Sequence, residues 1–247
     1  MIQKLLLSGL LFVGCAGAVE LTQSSSVDQV LDALDQRGHD LKSLTADIAM
    51  ADIDPNLGDK GTTHTGKLYF QDLGDGKVRF RILFDKKLSG KTSLPQKHDY
   101  VYANGTFTDR DYDLKQQNTR QVLKPGEKMQ IFKLDGPFPL PLGQNKDDVH
   151  KIFEVVKVAS AADDPANTIH LQLLPHAGTE MAKKFEKIDL WLDPQTDFPA
   201  RIKTLDASET SLKETDLTNV QVNPPMGDKQ FQMEDVNLKD GWNAKSD

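Results

Sequence analysis

The sequence predicts an α+β fold: one large curled antiparallel sheet of about 10–11 strands in meander order, with an N-terminal helix and a helical lid. Most of the chain alternates apolar and polar residues with a period of two, and Gly, Pro, Asn and Asp separate these stretches at short intervals. No stretch alternates strands with helices, as a parallel sheet requires. A single antiparallel sheet of this size must curl, and its concave face then needs a cover.

The first residues, 1–18, have the order of a signal peptide. Lys4 precedes an apolar run, and small residues follow the run. Cleavage after Ala18 would begin the mature protein at Val19, whereas Cys15 lies in a sequence that resembles a lipoprotein processing site. We expect the first, with export to the periplasm; the second would anchor the protein through Cys15. Because Cys15 is the only cysteine, no disulfide can form within the chain.

Composition indicates one domain. The chain has 247 residues, of which 38% are hydrophobic and 27% are charged. That is enough for one sizeable core and too little to require two. We predict a single domain over residues 19–231, a polar and loosely packed tail over residues 232–247, and a monomer. The net charge of −7 argues against nucleic acid as a partner.

The first predicted element of the domain is a helix. Ser26 and Gln29 fit a capping box, and Gly38 offers a C-terminal stop. The helical spacing of the apolar residues between them indicates an amphipathic helix of about three turns. These apolar residues are Val27, Val30, Leu31 and Leu34.

Strands follow the helix in the first half of the chain. Asp52, Asp54 and Asn56 lie in a loop without the Gly and Glu positions of an EF-hand, so we interpret them as turn residues and not as calcium ligands. Asn104-Gly105 is a strong signal for a two-residue hairpin turn. The predicted strands are residues 44–50, 65–71, 77–85, 100–103, 106–113 and 119–123.

The alternation stops between residues 124 and 153. Residues 127–134 and 147–153 are predicted as short helices, joined by a proline-rich apolar segment. Because large apolar side chains are unfavourable in water, this segment is either a loop pinned on the core or a movable lid with hinges at Gly136 and Gly143. The predicted lid residues are Phe132, Phe138, Leu140, Leu142, Ile152 and Phe153.

The last third of the chain returns to strands. In the hairpin over residues 187–206, alternate residues are apolar, and a turn with Pro194 joins the two halves. Pro224 and Pro225 end strand pairing because neither can donate to a ladder. The predicted strands are residues 154–159, 168–174, 187–193, 200–206 and 212–223.

The sequence contains no pattern typical of an enzyme. The six histidines are not spaced as metal ligands and are interpreted as surface residues. His98-Asp99 is the only adjacent pair of histidine and carboxylate, and neighbours on a strand point to opposite faces. No Gly-rich phosphate loop precedes a helix. We therefore predict a protein that is not an enzyme and needs no metal or organic cofactor.

Three stretches resemble the LolA-like outer-membrane lipoprotein carriers. Residues 100–123 are similar to the central hairpins of that family. Residues 190–202, with LWLDP and DFPARI, resemble its C-terminal hairpin, and residues 222–225 (VNPP) resemble its closing segment. The resemblance spans about residues 27–231. Mycobacterial lipid-transfer lipoproteins and an anti-sigma regulator domain share the fold of the family.

Membership of this family would imply an unclosed β-barrel that shields lipoprotein acyl chains between the inner and outer membranes. The partners would be acylated lipoproteins or lipids, with membrane-bound donor and acceptor proteins. A free lipid as cargo, and a sensor that signals to another protein, are alternatives that the residues leave open. The predicted acyl-chain cavity residues are Leu68, Phe70, Phe80, Ile82, Phe84, Tyr100, Tyr102, Ile188, Leu190, Leu192 and Ile202.

The chain departs from the family at one place. The carriers have Arg-Pro after an early apolar strand, and that arginine latches the lid. Here the matching stretch is Gln71-Asp72-Leu73-Gly74-Asp75. Arg79 and Arg81 on the next strand are the candidate substitutes.

Overall fold

A computed structural model describes residues 20–123 and 140–246. Helix α1 spans Val27–Asp40, helix α2 spans Lys146–Ile152, and no helix within these ranges is long and apolar enough to cross a membrane. The strands are β1 (Ser43–Ile53), β2 (Lys60–Gly74), β3 (Lys77–Ser89), β4 (Thr92–Ala103), β5 (Thr106–Asp111), β6 (Gln116–Gln121), β7 (Phe153–Val158), β8 (Ile169–Pro175), β9 (Phe185–Asp193), β10 (Phe198–Asp206), β11 (Leu212–Val222) and β12 (Asn243–Ser246).

Several predictions fall outside the described residues. They are the signal peptide with its two processing sites, the helix over residues 127–134, Gly136, and the lid residues Phe132 and Phe138.

All strands belong to one sheet in the order β12-β6-β5-β4-β3-β2-β1-β11-β10-β9-β8-β7. The predicted α+β fold with a curled, unclosed sheet is confirmed; the described sheet has 12 strands where about 10–11 were predicted, and all neighbours are antiparallel except β12 and β6. Its order is not a simple meander. The runs β1–β6 and β7–β11 meet where β1 pairs with β11, with Ile48 opposite Leu217. The alternation within a strand shows which face is buried, but it does not show which strand lies beside it.

Helix α1 begins as the capping box predicts. Ser26 Oγ accepts a hydrogen bond from Gln29 N at 3.2 Å, and Gln29 Oε1 accepts one from Ser26 N at 2.8 Å. Gly38 is not a stop, because the helix continues to Asp40. A Cβ at Gly38 would overlap Gly143 N and lie 2.5 Å from both Gly143 Cα and the carbonyl carbon of Leu142. Glycine therefore permits the backbone of residues 142–143 to lie directly on α1.

The convex face of the sheet carries ion pairs. Glu214 is 2% exposed and accepts hydrogen bonds from Lys60 Nζ and from Lys203 Nζ, the latter at 2.9 Å. Burial raises the pKa of Glu214, but these hydrogen bonds and the charges of Lys203 and Arg201 together lower it by more, so the pKa lies below its ordinary value of 4.5. Glu214 is therefore a buried carboxylate that the fold keeps ionised.

Glu214 should contribute to the acid sensitivity of the fold. Since its folded pKa lies below its unfolded pKa, its stabilisation is complete above pH 4.5 and is lost as the pH falls through the folded pKa. We expect Glu214→Gln to lower the free energy of unfolding at neutral pH and to flatten its decline between about pH 5 and about pH 3. Urea unfolding across this range measures both effects. Glu180→Gln, at an exposed pair with Lys183, is the control; equal slopes for wild type and Glu214→Gln would contradict the assignment.

The C-terminal segment, residues 228–246, is anchored on the convex face. The sequence predicts instead a loosely packed tail over residues 232–247. The Arg79 guanidinium lies 4.2 Å from the centre of the Phe231 ring. Arg81 Nη1 donates to Gln232 O at 3.0 Å. Farther on, Trp242 packs edge-on against Tyr112 at 5.4 Å, and β12 pairs in parallel with β6. Hydrogen bonds to backbone and cation–π contacts hold this segment, and neither produces an apolar period in the sequence.

Arg79 and Arg81, the candidate substitutes for the arginine that latches the lid, therefore have a different role. Both hold the C-terminal segment on the face opposite to Phe80 and Ile82. Among the described residues, Arg37 of α1 ties a covering element to the turn between β9 and β10, since its Nη2 donates to Asp197 Oδ2 at 3.3 Å. Burial raises the pKa of Asp197, and the charge of Arg37 only partly opposes this shift.

Candidate functional site

Three rows of side chains cross the concave face from β2 to β6. Residues directly opposite each other on antiparallel strands share a face, so the register of the sheet defines each row. The first row is Phe70, Phe80, Tyr102, Phe107 and Arg120. The second row is Leu68, Ile82, Tyr100, Asp109 and Asn118. The third row is Gly66, Phe84, His98, Asp111 and Gln116. Each row is apolar at β2 and β3 and polar at β6.

A cavity of about 350 Å³ opens on this half of the concave face. Its walls are mainly aromatic and aliphatic, and polar groups from β1, β2, β4 and β11 lie among them. The lining residues are Met50, Ala51, Asp52, His64, Phe80, Ile82, Phe84, His98, Tyr100, Phe107 and Lys213. Such a combination fits an apolar ligand with a polar end.

The aromatic wall is held by ring contacts. Phe80 stacks on Tyr102 with ring centres 5.7 Å apart, and Tyr100 stacks on Phe107 at 6.1 Å. Phe84 meets Tyr100 edge-on at 6.2 Å. Burial raises the pKa of Tyr100, and the nearby charges of Asp109 and Asp111 raise it further, so its phenol is neutral. The wall thus presents uncharged, mutually supported rings to the cavity.

Histidines supply part of the polar border. His98 Nε2 lies 2.6 Å from Asp109 Oδ1, and the imidazole stacks on Tyr100 at 4.5 Å. His64 Nδ1 lies 2.6 Å from Gln96 Oε1. His98 and Asp99 point to opposite faces as predicted, and the acidic partner of His98 stands on β5. Adjacency in the sequence could not reveal that partner, because it depends on the β4–β5 register.

The other half of the concave face is filled. Ile188, Leu190 and Leu192 on β9 are at most 1% exposed and belong to the same apolar core as α1, α2 and Leu140. The predicted cavity residues are therefore divided between two environments. Phe80, Ile82, Phe84 and Tyr100 line the cavity, whereas Leu68, Phe70, Tyr102, Ile188, Leu190, Leu192 and Ile202 belong to the surrounding core.

Sequence reasoning missed several residues of the cavity. Met50 and His64 face each other across β1 and β2, and Phe107 is an isolated aromatic residue on a polar strand. Their signal was the alternation itself, continued along each strand. The largest apolar runs alone do not include them.

The described lid residues are packed. Leu140 and Phe153 are buried completely or nearly so, Leu142 is buried, and Ile152 is half-buried against the core. Gly143 has φ of +67° and its N donates to Leu34 O at 3.2 Å, so this proposed hinge is fixed against α1. The segment from Leu140 to Gly143 thus belongs to the layer that covers the filled half of the sheet.

A second polar–aromatic cluster lies on the convex face. His170, predicted as a surface residue, is only 9% exposed, and it stacks on Trp191 with ring centres 4.1 Å apart. Its Nε2 lies 3.1 Å from Asp189 Oδ1. Burial raises the pKa of Asp189, but hydrogen bonds from His170 and Gln172, together with the charge of Lys187, lower it by more. A cavity of about 420 Å³ adjoins this cluster.

No metal site is visible in residues 20–123 and 140–246, where no three side chains of His, Cys, Asp or Glu are grouped suitably.

Comparisons with known proteins bear on the fold. No protein-family model and no curated protein matches the chain. An uncharacterized conserved protein from Thermus thermophilus is similar in structure, with a TM-score of 0.50 and 12% identity over 90% of this chain and 100% of that chain. At this identity the similarity shows the fold alone.

Two further solved structures are more distant. A chain of the Pseudomonas aeruginosa MucA/MucB complex gives a TM-score of 0.47 with 16% identity, covering 83% of this chain and 61% of that chain. A LolA superfamily protein from Nitrosomonas europaea gives 0.32 with 8% identity, covering 85% and 99%. The superfamily that the sequence resembles is thus among the structural neighbours. TM-scores this low support no conclusion about ligands or partners.

Proposed function

We propose that the protein is a periplasmic carrier that shields acyl chains of lipoproteins or lipids for transfer toward the outer membrane. The observation that carries this proposal is the cavity of about 350 Å³ on the concave face, walled by Phe80, Ile82, Phe84 and Phe107. The resemblance of residues 190–202 to the lipoprotein carriers supports it. The proposal assigns no chemical reaction to the protein.

The physical basis of carriage is exchange between two apolar environments. Each methylene group that leaves water contributes about 0.8 kcal/mol, whether it enters a membrane or a protein cavity. A carrier therefore needs an apolar cavity that remains accessible, since a fully packed core would exclude the chain. The open half of the concave face meets this requirement, while the filled half supplies the stability of the fold.

Binding of a fluorescent fatty acyl probe to the purified protein tests the proposal. We expect saturable binding with one site per chain, and competition by an unlabelled fatty acid. Wild-type protein that binds no acyl probe would show the carrier proposal to be wrong.

A larger side chain at Met50 should block the site. Met50 is half-buried and lines the cavity, so the indole in Met50→Trp would occupy space that the ligand needs. We expect probe affinity to fall at least about tenfold, because returning only a few methylene groups of the probe to water costs enough free energy for such a change. Titration of the probe measures the effect, and thermal unfolding confirms that the variant folds.

Leu238→Trp is the matched control, because Leu238 is 63% exposed and lies in the C-terminal segment. It should bind the probe as wild type does. Unchanged affinity in folded Met50→Trp would place the acyl site elsewhere.

Export is part of the proposal. The intact mass of protein isolated from its native envelope should correspond to a chain that begins at Val19. A diacylglyceryl group on Cys15 would instead make the protein membrane-anchored.

The second candidate function is a periplasmic sensor of lipids or lipoproteins that acts on a protein partner. The convex cluster favours it, because Trp191 Nε1 is buried without a described hydrogen-bond partner beside a cavity of about 420 Å³. Tryptophan is enriched among the residues that contribute most to binding at protein interfaces. A pull-down from envelope extracts separates the two functions: many lipoproteins indicate a carrier, and one stoichiometric membrane protein indicates a sensor.

A further inference from the structure

The polar end of the concave face carries two cations. Arg120 continues the row of Phe80, Tyr102 and Phe107 onto β6. Lys245 of β12 stands opposite Asn118 at the end of the neighbouring row. Within the described parts of the chain, neither Arg120 nor Lys245 forms an ion pair or a hydrogen bond through its side chain; Arg120 only lies over Phe107, 5.1 Å from the ring centre.

These cations border a second cavity of about 270 Å³, which Asp109, Asn118 and Thr119 also line. Phe107 is common to this cavity and to the apolar cavity. The two spaces therefore meet at one aromatic ring on the same face of the sheet. One is bordered mainly by aromatic and aliphatic groups and the other mainly by polar and charged groups.

The acidic groups nearby already have partners. Asp109 Oδ1 lies 2.6 Å from His98 Nε2, and Asp111 Oδ2 lies 3.7 Å from His98 Nδ1. Asp111 Oδ1 also accepts hydrogen bonds from the backbone N of Asp113 and of Leu114, both at 2.9 Å. Within residues 20–123 and 140–246 no acidic side chain pairs with Arg120 or Lys245, so their positive charges are available to a ligand.

We propose that the ligand is an amphiphile with one acyl chain and an anionic head group, and that Arg120 and Lys245 receive the head while the chain lies in the apolar cavity. This inference rests on the acyl-binding function proposed above. One chain is inferred because about 350 Å³ is near the lower end of the usual range of ligand pockets. A guanidinium can bind a carboxylate or a phosphate through two parallel hydrogen bonds, which suits Arg120 to either head group.

The test compares two ligands of equal chain length, hexadecanoic acid and hexadecanol, by displacement of the fluorescent acyl probe at neutral pH. Wild-type protein should bind the acid more tightly, and added salt should reduce this preference. The double variant Arg120→Gln/Lys245→Gln should lose at least about tenfold in affinity for the acid and less than about twofold for the alcohol, because only the acid makes charge-assisted hydrogen bonds. Both side chains are exposed, so the variant should fold.

The double variant Lys91→Gln/Lys239→Gln is the matched control, since it removes two exposed positive charges that border neither cavity. It should leave the preference for the acid intact. A single-chain lysophosphatidate shows whether the site favours a phosphate over a carboxylate, and tighter binding of either acid than of the alcohol supports the inference.

The possible failures are distinct. Equal affinity of wild type for acid and alcohol, or a loss in Lys91→Gln/Lys239→Gln as large as that in Arg120→Gln/Lys245→Gln, would overturn the head-group site and leave acyl binding in place. Failure of every acyl ligand to bind would overturn both.

Discussion

Gly38→Ala is expected to lower the free energy of unfolding by at least about 2 kcal/mol, although the same change in an unobstructed helix is stabilising. The new Cβ would overlap Gly143 N and lie 2.5 Å from Gly143 Cα. Both are backbone atoms, so neither can rotate away as a side chain can. Relief would require α1 and the segment from Leu140 to Gly143 to separate, which would disturb their buried contacts. Urea unfolding at equilibrium measures the loss.

Gly227→Ala is the control for this prediction. Gly227 has φ of −118°, and the nearest atom to its added Cβ is the side-chain oxygen of Gln230 at 3.7 Å. Its stability should therefore change by less than about 0.5 kcal/mol. Wild-type stability in Gly38→Ala would mean that residues 142–143 do not lie against α1.

Asp99→Asn is expected to destabilise the protein by about 3–5 kcal/mol, because it leaves a buried positive charge without its counter-ion. Asp99 is fully buried, and its two carboxylate oxygens accept hydrogen bonds from Arg81 Nε and Nη2, each at 2.7 Å. Tyr112 Oη adds a third at 3.1 Å. Asparagine preserves the shape of the side chain but removes its charge. Chemical denaturation measures the change.

The effect of Asp99→Asn should extend to the C-terminal segment. Arg81 Nη1 also donates to the carbonyls of Gln230 and Gln232, so displacement of its guanidinium should increase proteolysis after residue 228. Asp148→Asn, at an exposed pair with Lys151, should change stability by no more than about 0.5 kcal/mol. A double variant, Asp99→Leu/Arg81→Met, should recover stability relative to Asp99→Asn. A loss no greater than that of Asp148→Asn would mean that the buried pair does not support the fold.

Local features were the part of this structure that the sequence could predict. The capping residue Ser26 is where its pattern indicates, and Asn104-Gly105 forms the turn between β4 and β5. The alternation in β9 places Ile188, Leu190 and Leu192 in the core. Each of these features depends only on residues that are close together in the sequence.

Features that depend on distant parts of the chain could not be predicted in this way. Gly38 fits the pattern of a helix stop, yet its role comes from the backbone of Gly143, more than a hundred residues later. His98 contacts a carboxylate on β5 because of the register between β4 and β5. Arg79 and Arg81 contact residues of the C-terminal segment that lie 149 and 151 positions later in the sequence. The division of the concave face into a filled and an open half likewise depends on where α1 and α2 lie.

The pairing of β1 with β11 has a consequence for how the protein folds. Asp47 and Asn219, whose side chains are hydrogen-bonded across this seam, are 172 positions apart in the chain. During synthesis from the N-terminus, β1 to β6 can pair in succession, but one edge of β1 stays open until β11 has been made. Contacts of such high contact order form slowly, and an open strand edge is a template for pairing with another chain. The seam thus closes only after β11 has been made, and until then the open edge of β1 can pair with a neighbouring chain.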